Sequence, residues 1–591
     1  MTRASCGAVN ASFVGKTVEL NGWVNRRRDH GGLIFIDVRD RDGITQILFD
    51  PALAETFASA ETLRNEDVVR IVGTVRKRPA GTENPKLATG DAEVAAQRLE
   101  VLNRSLTPPF VVAGDEHVDE SVRLRYRYLD LRRPRMQHNL AVRHKIVKAM
   151  RDYFDERGFL EIETPNLIKS TPEGARDYLV PSRVHQGTFY ALPQSPQLLK
   201  QLLMIGGFGR YMQIARCFRD EDPRADRQPE FSQLDVEMSF VGEDEVMAMM
   251  ENCVRFTWER ALGVRIPDSL PRMSYADAMR RYGSDKPDLR FGLELVDVLE
   301  AFRSSEFALF RELAQEPGMR VIALRYPGGS SLSRRDFDAL AETAKGFGAK
   351  GLAYFMLGAD EAKGGIAKFV NADLLGHLRE ATGAREGDAV LFIGDKAAVA
   401  SDAAGRLRLH VGERLNLLNP ATFAFCWVID FPLFERDADS GEITFSHHPF
   451  TAPLPGQEGL FDDDPLAMRA QHYDLVLNGY ELGSGSIRNH NADFQRKIFR
   501  KLGMSEEEIA DRFGFFLEAL QYGAPPHGGM ALGLDRVAML ACGETSIRDV
   551  IAFPKNQTAR DIMMDSPSAV SAAQLRDLAL EVRAPVAVGA S

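Results

Sequence analysis

The pattern that most constrains the fold is an alternation of polar and apolar residues from position 231 to position 240. Gln233, Asp235 and Glu237 occupy alternate positions, and apolar residues lie between them. Because side chains of a β-strand point alternately to its two faces, the run predicts a strand with one acidic and one apolar face. The run 211–219 alternates in the same way and places Gln213 and Arg219 on one face. The polar segment DPRADRQP separates the two runs, which therefore predict a hairpin.

The acidic face of this hairpin has two interpretations. Burying carboxylates and an arginine in an apolar core is costly, so the face is not ordinary core. It is either a solvated outer face or the polar floor of a binding site. We favour the binding floor, and the pattern alone leaves both open.

A second polar cluster lies in YDLVLNGYELGSGSIR. It contains the acids Asp474 and Glu481 and ends at Arg488, and its small GSGS residues would let a ligand approach the backbone. Two carboxylates on adjacent strands suit Mg²⁺, which binds one or two carboxylates together with phosphate oxygens. A plain glycine-rich hairpin is the alternative.

A third cluster is HGGMALGLDR, residues 527–536. It is rich in glycine but lacks the G-K-S/T sequence of a P-loop. The helix-like run VAMLACG follows Arg536. The cluster therefore predicts a strand-to-helix junction at which the arginine contacts phosphate groups.

Residues 1–106 contain five short β-rich runs punctuated by glycine and aspartate: VELNGWVNRR, GLIFIDVRD, ITQILFD, DVVRIVGTVRKR and AEVAAQRLEVL. Five short strands in about 100 residues are typical of a small closed barrel, and we predict an OB-fold. TPPF at positions 107–110 ends this pattern. Residues 107–138 are predicted to form a hinge.

The remaining sequence predicts an α+β protein of several domains, as does a length of 591 residues at roughly 100–200 residues per domain. Residues 139–290 mix helices and strands and are predicted to form the first part of a core. Residues 291–415 are richer in Ala and Gly, and their short alternating elements predict an inserted α+β domain. FAFCWVIDFPLF resumes the earlier pattern, so residues 416–591 would complete the core and end in a tail.

Composition excludes several classes of protein. A net charge of −11 argues against non-specific coating of nucleic acid. Locally, however, residues 121–145 contain eight Lys or Arg and one acid, which predicts either a solvated helix face or a phosphate-binding surface. The five scattered cysteines signal neither a zinc site nor a disulfide framework. The absence of a long apolar run or signal peptide, together with this cysteine usage, predicts a cytoplasmic protein with no membrane partner.

Three stretches together resemble the three motifs of class II aminoacyl-tRNA synthetases: GFLEIETPNL with Pro165, CFRDE followed by RQPEFSQLD, and GLDR with Arg536. Within that class the chain resembles the bacterial aspartyl-tRNA synthetases, also called aspartate–tRNA ligases. The stretches that carry this resemblance span nearly the whole chain and are RRRDHGGLIFIDVRDRDG, YRYLDLRRP, STPEGARDYLVP, ALPQSPQLLKQLLM, FRDEDPRADRQPEFSQLD, SHHPFTAP, YELGSGSIRNH and HGGMALGLDR.

The resemblance implies an OB-fold anticodon-binding barrel, a class II catalytic core built on an antiparallel sheet, and an ATP-dependent ligase. L-aspartate would be joined to tRNA(Asp) in two steps through an aspartyl-adenylate. A homodimer is implied as well, because the first motif packs across the interface in class II enzymes. Rival interpretations are an asparaginyl or lysyl relative, a catalytically inactive RNA-binding relative, and an asparagine synthetase on the same core. Lys200 with Arg488 argues for a carboxylate ligand.

The resemblance also implies roles for individual residues. The aspartate pocket would be formed by Glu173, Ser195, Gln197, Lys200, Arg219, Gln233, Asp235, His447, His448 and Arg488. ATP would contact Arg219, Asp220, Glu221, Gln228, Glu481, Gly533, Leu534, Asp535 and Arg536, of which Arg219 and Arg536 are the expected catalytic residues. Asp474 and Glu481 would bind Mg²⁺. Adjacent histidines on a strand point to opposite faces, so His447 and His448 are not expected to share a metal.

In the barrel, the resemblance implies that Arg28, Phe35 and Gln46 contact anticodon bases, Phe35 by stacking. Family members restricted to tRNA(Asp) commonly carry Leu where this chain has His30, and Gly81 likewise matches the relaxed pattern. We therefore predict that tRNA(Asn) is charged too, in which case an amidotransferase would act on the product. A strictly tRNA(Asp)-specific enzyme, with His30 as a solvated turn residue, is the alternative.

Overall fold

A computed structural model describes residues 2–114, 116–171, 174–359, 361–437 and 440–583. It divides into two compact units. The first unit contains the residues up to 143 together with 222–228 and 546–569. The second unit contains residues 144–221, 229–545 and those from 570 onward. The long helix Pro134–Asp155 begins in the first unit and ends in the second.

The first unit contains the predicted OB-fold barrel. Its strands are Thr2–Arg3, Thr17–His30, Leu33–Arg39, Ile44–Phe49, Val68–Lys77 and Ala92–Asn103, accompanied by the 3-10 helix Ala11–Phe13 and the helix Ala54–Glu61. The sheet closes because Thr17–His30 pairs with both Leu33–Arg39 and Val68–Lys77. Alternate residues of these strands fill the interior, which consists mainly of buried Val, Ile and Leu. The five predicted strands are confirmed, and the two-residue strand at the N-terminus was too short to predict.

Part of the basic segment 121–145 is paired within the protein and is not a solvated face, whereas phosphate binding by the segment stays a prediction. Arg127 is buried, pairs with Asp130 at 2.5 Å, and donates to the carbonyl oxygens of residues 548, 551 and 552. Arg123 and Arg135 pair with Asp549 at 2.9 and 3.2 Å. These cations hold the segment 546–552 against the short helices Glu120–Arg125 and Arg127–Asp130. Counting charges within the segment could not predict this arrangement, because Asp549 and Ala552, which Arg123 and Arg127 contact, lie more than 400 positions away.

The second unit is built on an eight-stranded sheet. In spatial order its strands are Arg272–Ser274, Phe425–Ile429, His472–Leu477, Tyr480–Ile487, His527–Gly533, Glu230–Ser239, Arg210–Phe218 and Leu160–Glu161. Pairing is antiparallel throughout the six central strands and parallel at both edges. The predicted hairpin is present, with Gln213 opposite Asp235. The apolar residues between its acids are buried.

The second unit also contains helices and small strand pairs. They are Gln197–Ile205, Glu243–Leu262, Tyr275–Tyr282, Leu460–Asp463, Ala492–Lys501, Glu506–Leu520, Leu534–Ala541 and Ala572–Asp577, with the 3-10 helix Pro465–Ala467 and the small strand pairs Leu179–Pro181 with Phe189–Ala191 and Phe434–Arg436 with Ile443–Phe445. In the described part of the chain, no helix is both long and apolar enough to cross a membrane.

A second, five-stranded sheet occupies the region between residues 296 and 396. In spatial order its strands are Val296–Asp297, Met319–Tyr326, Ala389–Lys396, Ala353–Leu357 and Ala362–Lys363, all antiparallel to their neighbours. The associated helices are Ala308–Leu313, Arg334–Gly346, Ala372–Thr382 and Ala397–Arg414, with the 3-10 helices Glu300–Phe302, Gly329–Ser331 and Ala367–Phe369. Two separate apolar clusters cover its two faces. This region therefore has its own core.

Candidate functional site

Two acids and two cations form a buried ionic cluster on the polar face of the eight-stranded sheet. Lys200 Nζ lies 2.5 Å from Asp235 Oδ1 and 3.1 Å from Glu237 Oε2. Arg488 makes a bidentate contact with Glu237 at 2.9 and 3.0 Å. None of the four side chains is more than 2% exposed. The acidic face of the hairpin is therefore not a solvated outer face.

A neighbouring helix and a neighbouring strand supply the two cations that offset the cost of burying the carboxylates of Asp235 and Glu237. Lys200 comes from the helix Gln197–Ile205, and Arg488 directly follows the strand Tyr480–Ile487. Burial alone would raise the pKa of Glu237, but Arg488 and Lys200 outweigh it and hold that pKa at about 2. The pKa of Asp235 is raised, because burial and the charge of Glu237 outweigh Lys200. A buried charge is costly unless it is paired, and each acid of this cluster is paired with a cation.

Two polar atoms lack a hydrogen-bond partner among the described residues, one in this cluster and one on the helix that carries Lys200. They are Asp235 Oδ2, an acceptor, and Gln197 Nε2, a donor, and both are buried. Gln233 lies on the same face, where its Oε1 accepts from Cys217 Sγ at 3.3 Å. Ser195 Oγ accepts the backbone N–H of Gln197. Buried polar groups are normally satisfied, so the unpaired atoms indicate a ligand that supplies both a donor and an acceptor.

The adjacent histidines lie just after the strand Ile443–Phe445 rather than on it. The strand argument therefore does not apply to them, and the two rings have different partners. His448 Nε2 lies 3.0 Å from Arg488 Nη1. Burial and the charge of Arg488 hold the pKa of His448 well below its usual value. His447 stacks on His472, with ring centroids 3.6 Å apart, and burial lowers the pKa of His447 to about 3.

Asp474 and Glu481 lie on neighbouring antiparallel strands, with Asp474 opposite Ser484. Burial, reinforced by the charge of Glu481, raises the pKa of Asp474 to about 7. His472 Nε2 lies 3.0 Å from Asp474 Oδ1. Lys286 Nζ lies 3.4 Å from Glu481 Oε2. The acids are a pair, and the described residues contain no group of three or more His, Cys, Asp or Glu arranged to hold a metal ion.

Sequence reasoning missed His472 and Lys286. His472 shares a strand face with Asp474, so the period of two was a usable signal for it. No comparable signal existed for Lys286, which reaches the acids from a loop nearly 200 positions away.

The two arginines expected to contact ATP each lie just beyond the C-terminal end of a strand, and the two strands end at the same edge of the sheet. Arg219 follows the strand Arg210–Phe218, and its guanidinium lies 5.1 Å from the ring centre of Phe231. Its Nε is buried without a hydrogen-bond partner among the described residues. Arg536 lies in the first turn of the helix Leu534–Ala541, and its Nη1 donates to the carbonyl oxygen of Glu481. The predicted strand-to-helix junction at HGGMALGLDR is thereby confirmed.

Four further residues expected near ATP have hydrogen-bond partners within the protein. Asp535 is buried and accepts the backbone N–H of Ser232 at 2.9 Å, which fastens the helix Leu534–Ala541 to the sheet. The backbone N–H groups of Asp220 and Glu221 donate to the carbonyl oxygens of residues 176 and 219. Gln228 belongs to the first unit, where both ends of its amide bond the backbone of Lys555. Glu173 lies outside the described residues.

A polar network covers one face of the barrel. Arg28 pairs with Asp37 at 2.7 Å and donates to Gln46 Oε1 at 3.1 Å. Gln46 donates in turn to Glu93 at 2.7 Å. Phe35 is opposite Arg28 in the register and is half-buried. The three residues implied to contact an anticodon therefore lie on adjacent strands of one surface.

The two residues implied in tRNA discrimination are exposed and lie in turns of the barrel. His30 ends its strand at a two-residue turn formed by Gly31 and Gly32, whose φ angles of +59° and +78° suit a hairpin turn that favours glycine. Gly81 has a φ of +85° in the loop after the strand Val68–Lys77, and its N–H donates to Glu83 at 2.7 Å.

Comparisons with known proteins agree with this architecture. The family model for class II tRNA synthetases (D, K and N) matches residues 119–557, and the OB-fold nucleic acid binding domain model matches residues 18–102. An aspartate–tRNA ligase of Geobacillus kaustophilus is 53% identical over 98% of both chains. An aspartate–tRNA(Asp/Asn) ligase of Rubrobacter xylanophilus is 54% identical, covering 98% of this chain and 97% of that one.

Solved structures share the fold at low sequence identity. Asparaginyl-tRNA synthetase from Pyrococcus horikoshii, complexed with asparaginyl-adenylate, superposes with a TM-score of 0.58 at 20% identity, covering 94% of this chain and 98% of that one. A putative aspartyl-tRNA synthetase from Leishmania major superposes with the same TM-score at 19% identity, covering 94% of each chain.

Proposed function

The chain belongs to the aspartate–tRNA ligases of the class II aminoacyl-tRNA synthetases, and from that membership we propose that it charges both tRNA(Asp) and tRNA(Asn) with L-aspartate. The observation that carries the choice of amino acid is the buried cluster of Lys200 and Arg488 around Glu237. The observation that supports charging of tRNA(Asn) is the presence of His30 and Gly81 at two exposed turns of the barrel. ATP is a substrate, and the intermediate is aspartyl-adenylate.

The aspartate pocket would use both cations of the cluster for the side-chain carboxylate. A carboxylate accepts two charge-assisted hydrogen bonds from an arginine, whereas an amide offers one acceptor and no charge. The unpaired Asp235 Oδ2 would accept from the substrate ammonium, with help from Gln233, and Gln197 Nε2 would donate to the substrate. His448, held by Arg488, would close the pocket together with His447, and Ser195 would line it.

ATP would lie across Arg219 and Arg536. Arg219, whose Nε has no partner among the described residues, would donate to the α-phosphate, and Arg536 would meet the γ-phosphate. Glu221 and the Gly533–Leu534 backbone would complete the nucleotide site. Asp535, bound to Ser232, would act by fixing the helix that carries Arg536.

The acid pair fits Mg²⁺ by its donor chemistry. Asp474 is buried and Glu481 is partly exposed on the neighbouring strand, and burial together with the charge of Glu481 raises the pKa of Asp474. Asp474 and Glu481 would hold the ion, which supplies charge neutralisation of the phosphates when bound.

The chemistry requires no nucleophile from the protein. The α-carboxylate of aspartate attacks the α-phosphate, a new P–O bond forms, and the bond to pyrophosphate breaks. The 3′-terminal ribose hydroxyl of tRNA then attacks the carbonyl carbon of the adenylate and releases AMP. The side chains act by positioning the two reactants in line and by stabilising charge that develops in the transition state.

Exposed residues of the barrel would choose the tRNA. Arg28, Phe35 and Gln46 would contact the anticodon, since aromatic rings and bidentate side chains recognise unstacked bases. The anticodons of tRNA(Asp) and tRNA(Asn) differ at the third position. There His30 can donate or accept a hydrogen bond and so tolerate either base, while Gly81 removes side-chain bulk. We further propose a cytoplasmic homodimer whose aspartyl-tRNA(Asn) is converted by an amidotransferase.

The decisive experiment has two parts. Purified protein is first tested for ATP–pyrophosphate exchange with aspartate, asparagine or lysine, and exchange with aspartate alone is expected. Purified tRNA(Asp) and tRNA(Asn) are then aminoacylated side by side, and charging of both is expected. If the folded protein shows no ATP–pyrophosphate exchange, an inactive RNA-binding relative is favoured. If only tRNA(Asp) is charged, the enzyme is strictly specific for tRNA(Asp).

A further inference from the structure

His472 lies directly behind the acid pair and has no role in the site described so far. It is fully buried on the strand His472–Leu477, two residues before Asp474 and on the same face. Its Nε2 lies 3.0 Å from Asp474 Oδ1 and 3.0 Å from Ser484 Oγ. Its Nδ1 is buried with no hydrogen-bond partner among the described residues.

These contacts determine where the ring carries its proton. With the proton on Nε2, the ring donates to the carboxylate of Asp474, and only an acceptor at Nδ1 stays unpaired. With the proton on Nδ1, a buried donor would be unpaired, and the Nε2 lone pair would face a carboxylate oxygen. The first arrangement satisfies more groups, so Nε2–H donates to Asp474 Oδ1.

The other side of the same ring is used for stacking. The imidazole of His472 lies parallel to that of His447, with centroids 3.6 Å apart and planes inclined by 6°. The ring of Phe431 meets both imidazoles edge-on, at 4.9 Å from His472 and 4.8 Å from His447. The stacking on His472 and the edge contact with Phe431 therefore both restrict the orientation of His447.

We propose that His472 is a positioning residue that links the metal side of the site to the aspartate side. Its Nε2–H would fix the position of the Asp474 carboxylate, which would hold the Mg²⁺ of Mg–ATP, and its ring would orient His447 at the aspartate pocket. The inference rests on the proposed function, in which Asp474 and Glu481 bind Mg²⁺. Hydrogen bonds of this kind orient ligating carboxylates, and their loss typically lowers metal affinity about 10–100-fold.

Three variants separate the two roles. His472→Gln and His472→Met have side chains of similar length and shape, but only Gln keeps a donor near the position of Nε2. His472→Phe keeps an aromatic ring and loses the donor. Because the Gln and Met variants differ only at the end of the side chain, they remain a valid comparison if the bulkier Phe is not accommodated.

The primary measurement is binding of Mn²⁺, a spectroscopic substitute for Mg²⁺, to the full-length protein with a non-hydrolysable ATP analogue, followed by electron paramagnetic resonance. His472→Met and His472→Phe are expected to bind Mn²⁺ about 10–100-fold more weakly than the wild type, and His472→Gln within a few-fold of it. In ATP–pyrophosphate exchange assays, His472→Gln and His472→Met are expected to raise KM for aspartate, whereas His472→Phe is expected to leave this KM nearly unchanged. Equal Mn²⁺ affinities for Gln and Met would overturn the donor role. Equal KM values for Phe and Met would overturn the stacking role.

A control variant distinguishes failure of this inference from failure of the metal site itself. Asp474→Asn combined with Glu481→Gln is expected to abolish Mn²⁺ binding. If this double variant binds Mn²⁺ as the wild type does, the acids are not the metal site, and the positioning role of His472 is overturned with it. If the double variant loses Mn²⁺ while His472→Met does not, the metal site stands and only the inference about His472 is wrong.

Discussion

The catalytic face of the eight-stranded sheet and the polar face of the barrel use the same kinds of side chain in opposite environments. At the first, Lys200, Glu237 and Arg488 are at most 2% exposed. At the second, Arg28 is 40% exposed in its pair with Asp37. Breaking a buried pair typically costs about 3–5 kcal/mol, whereas exposed pairs contribute about 0–1 kcal/mol. If the proposed function holds, catalysis depends on a few groups whose removal is severe, and tRNA choice depends on small differences among exposed ones.

The largest effect is expected at Arg219. Arg219→Ala should lower the rate of aspartate-dependent ATP–pyrophosphate exchange by roughly 10²–10³-fold, because it removes a donor to charge that develops in the transition state. The matched control is Arg216→Ala, an exposed arginine on the preceding strand that pairs with Glu230 at 2.5 Å. Near-normal exchange in the Arg219 variant, or an equal loss in both, would exclude the assigned role.

A large effect specific to one substrate is expected at Lys200. Lys200→Met should weaken the binding of aspartate by about 2–5 kcal/mol, because the substrate carboxylate would then be buried with one cation in place of two. KM for ATP should change little. Lys148→Met is the control, since Lys148 is an exposed lysine paired with Asp152 at 2.8 Å. Proportional increases of both KM values would show that Lys200 is outside the aspartate pocket. Circular dichroism should accompany the kinetics, because Asp235 also loses its partner.

A moderate effect confined to the second step is expected at Phe35. Phe35→Ala should lower kcat/KM for tRNA. The expected decrease is equivalent to about 1–3 kcal/mol of binding free energy, which is typical for the loss of an aromatic ring that stacks on a base. Exchange does not involve tRNA and should be unchanged. Leu102→Ala, at an exposed apolar position of the same barrel, should leave both reactions intact. A reduced exchange rate in the Phe35 variant would mean that the substitution disturbs folding rather than tRNA binding.

The smallest effect is expected at His30. His30→Leu should reduce charging of tRNA(Asn) by about tenfold or less, equivalent to roughly one hydrogen bond, while charging of tRNA(Asp) persists. His30 gives a cleaner test than Gly81, because a side chain at a φ of +85° would add backbone strain to the loss of space. Aminoacylation of both tRNAs by wild type and variant measures the ratio. The hypothesis is refuted if the wild type already fails to charge tRNA(Asn).

The two faces also differ in how far they were predictable. The strands of the barrel and the hairpin 211–240 were predicted because a period of two determines which residues share a face within one short segment. The internal partners of the basic segment 121–145 were not predicted, since Arg123 and Arg127 contact Asp549 and the carbonyl oxygens of residues 548 and 552, which lie far away in the sequence. Lys286 and the stacking of His472 on His447 likewise depend on contacts between distant segments.

The amino-acid sequence by itself determined the family, the barrel, the alternating polar face and the identity of the charged residues, because these follow from local periodicity and from motifs contained in short stretches. Tertiary structure alone decided which charges are paired, which polar atoms are left without partners, and that His472 lies between Asp474 and His447. The reason is physical. The pKa of a carboxyl group and the hydrogen bonds of an imidazole depend on burial and on neighbours within a few ångströms, and the folded chain brings those neighbours from positions far apart in the sequence.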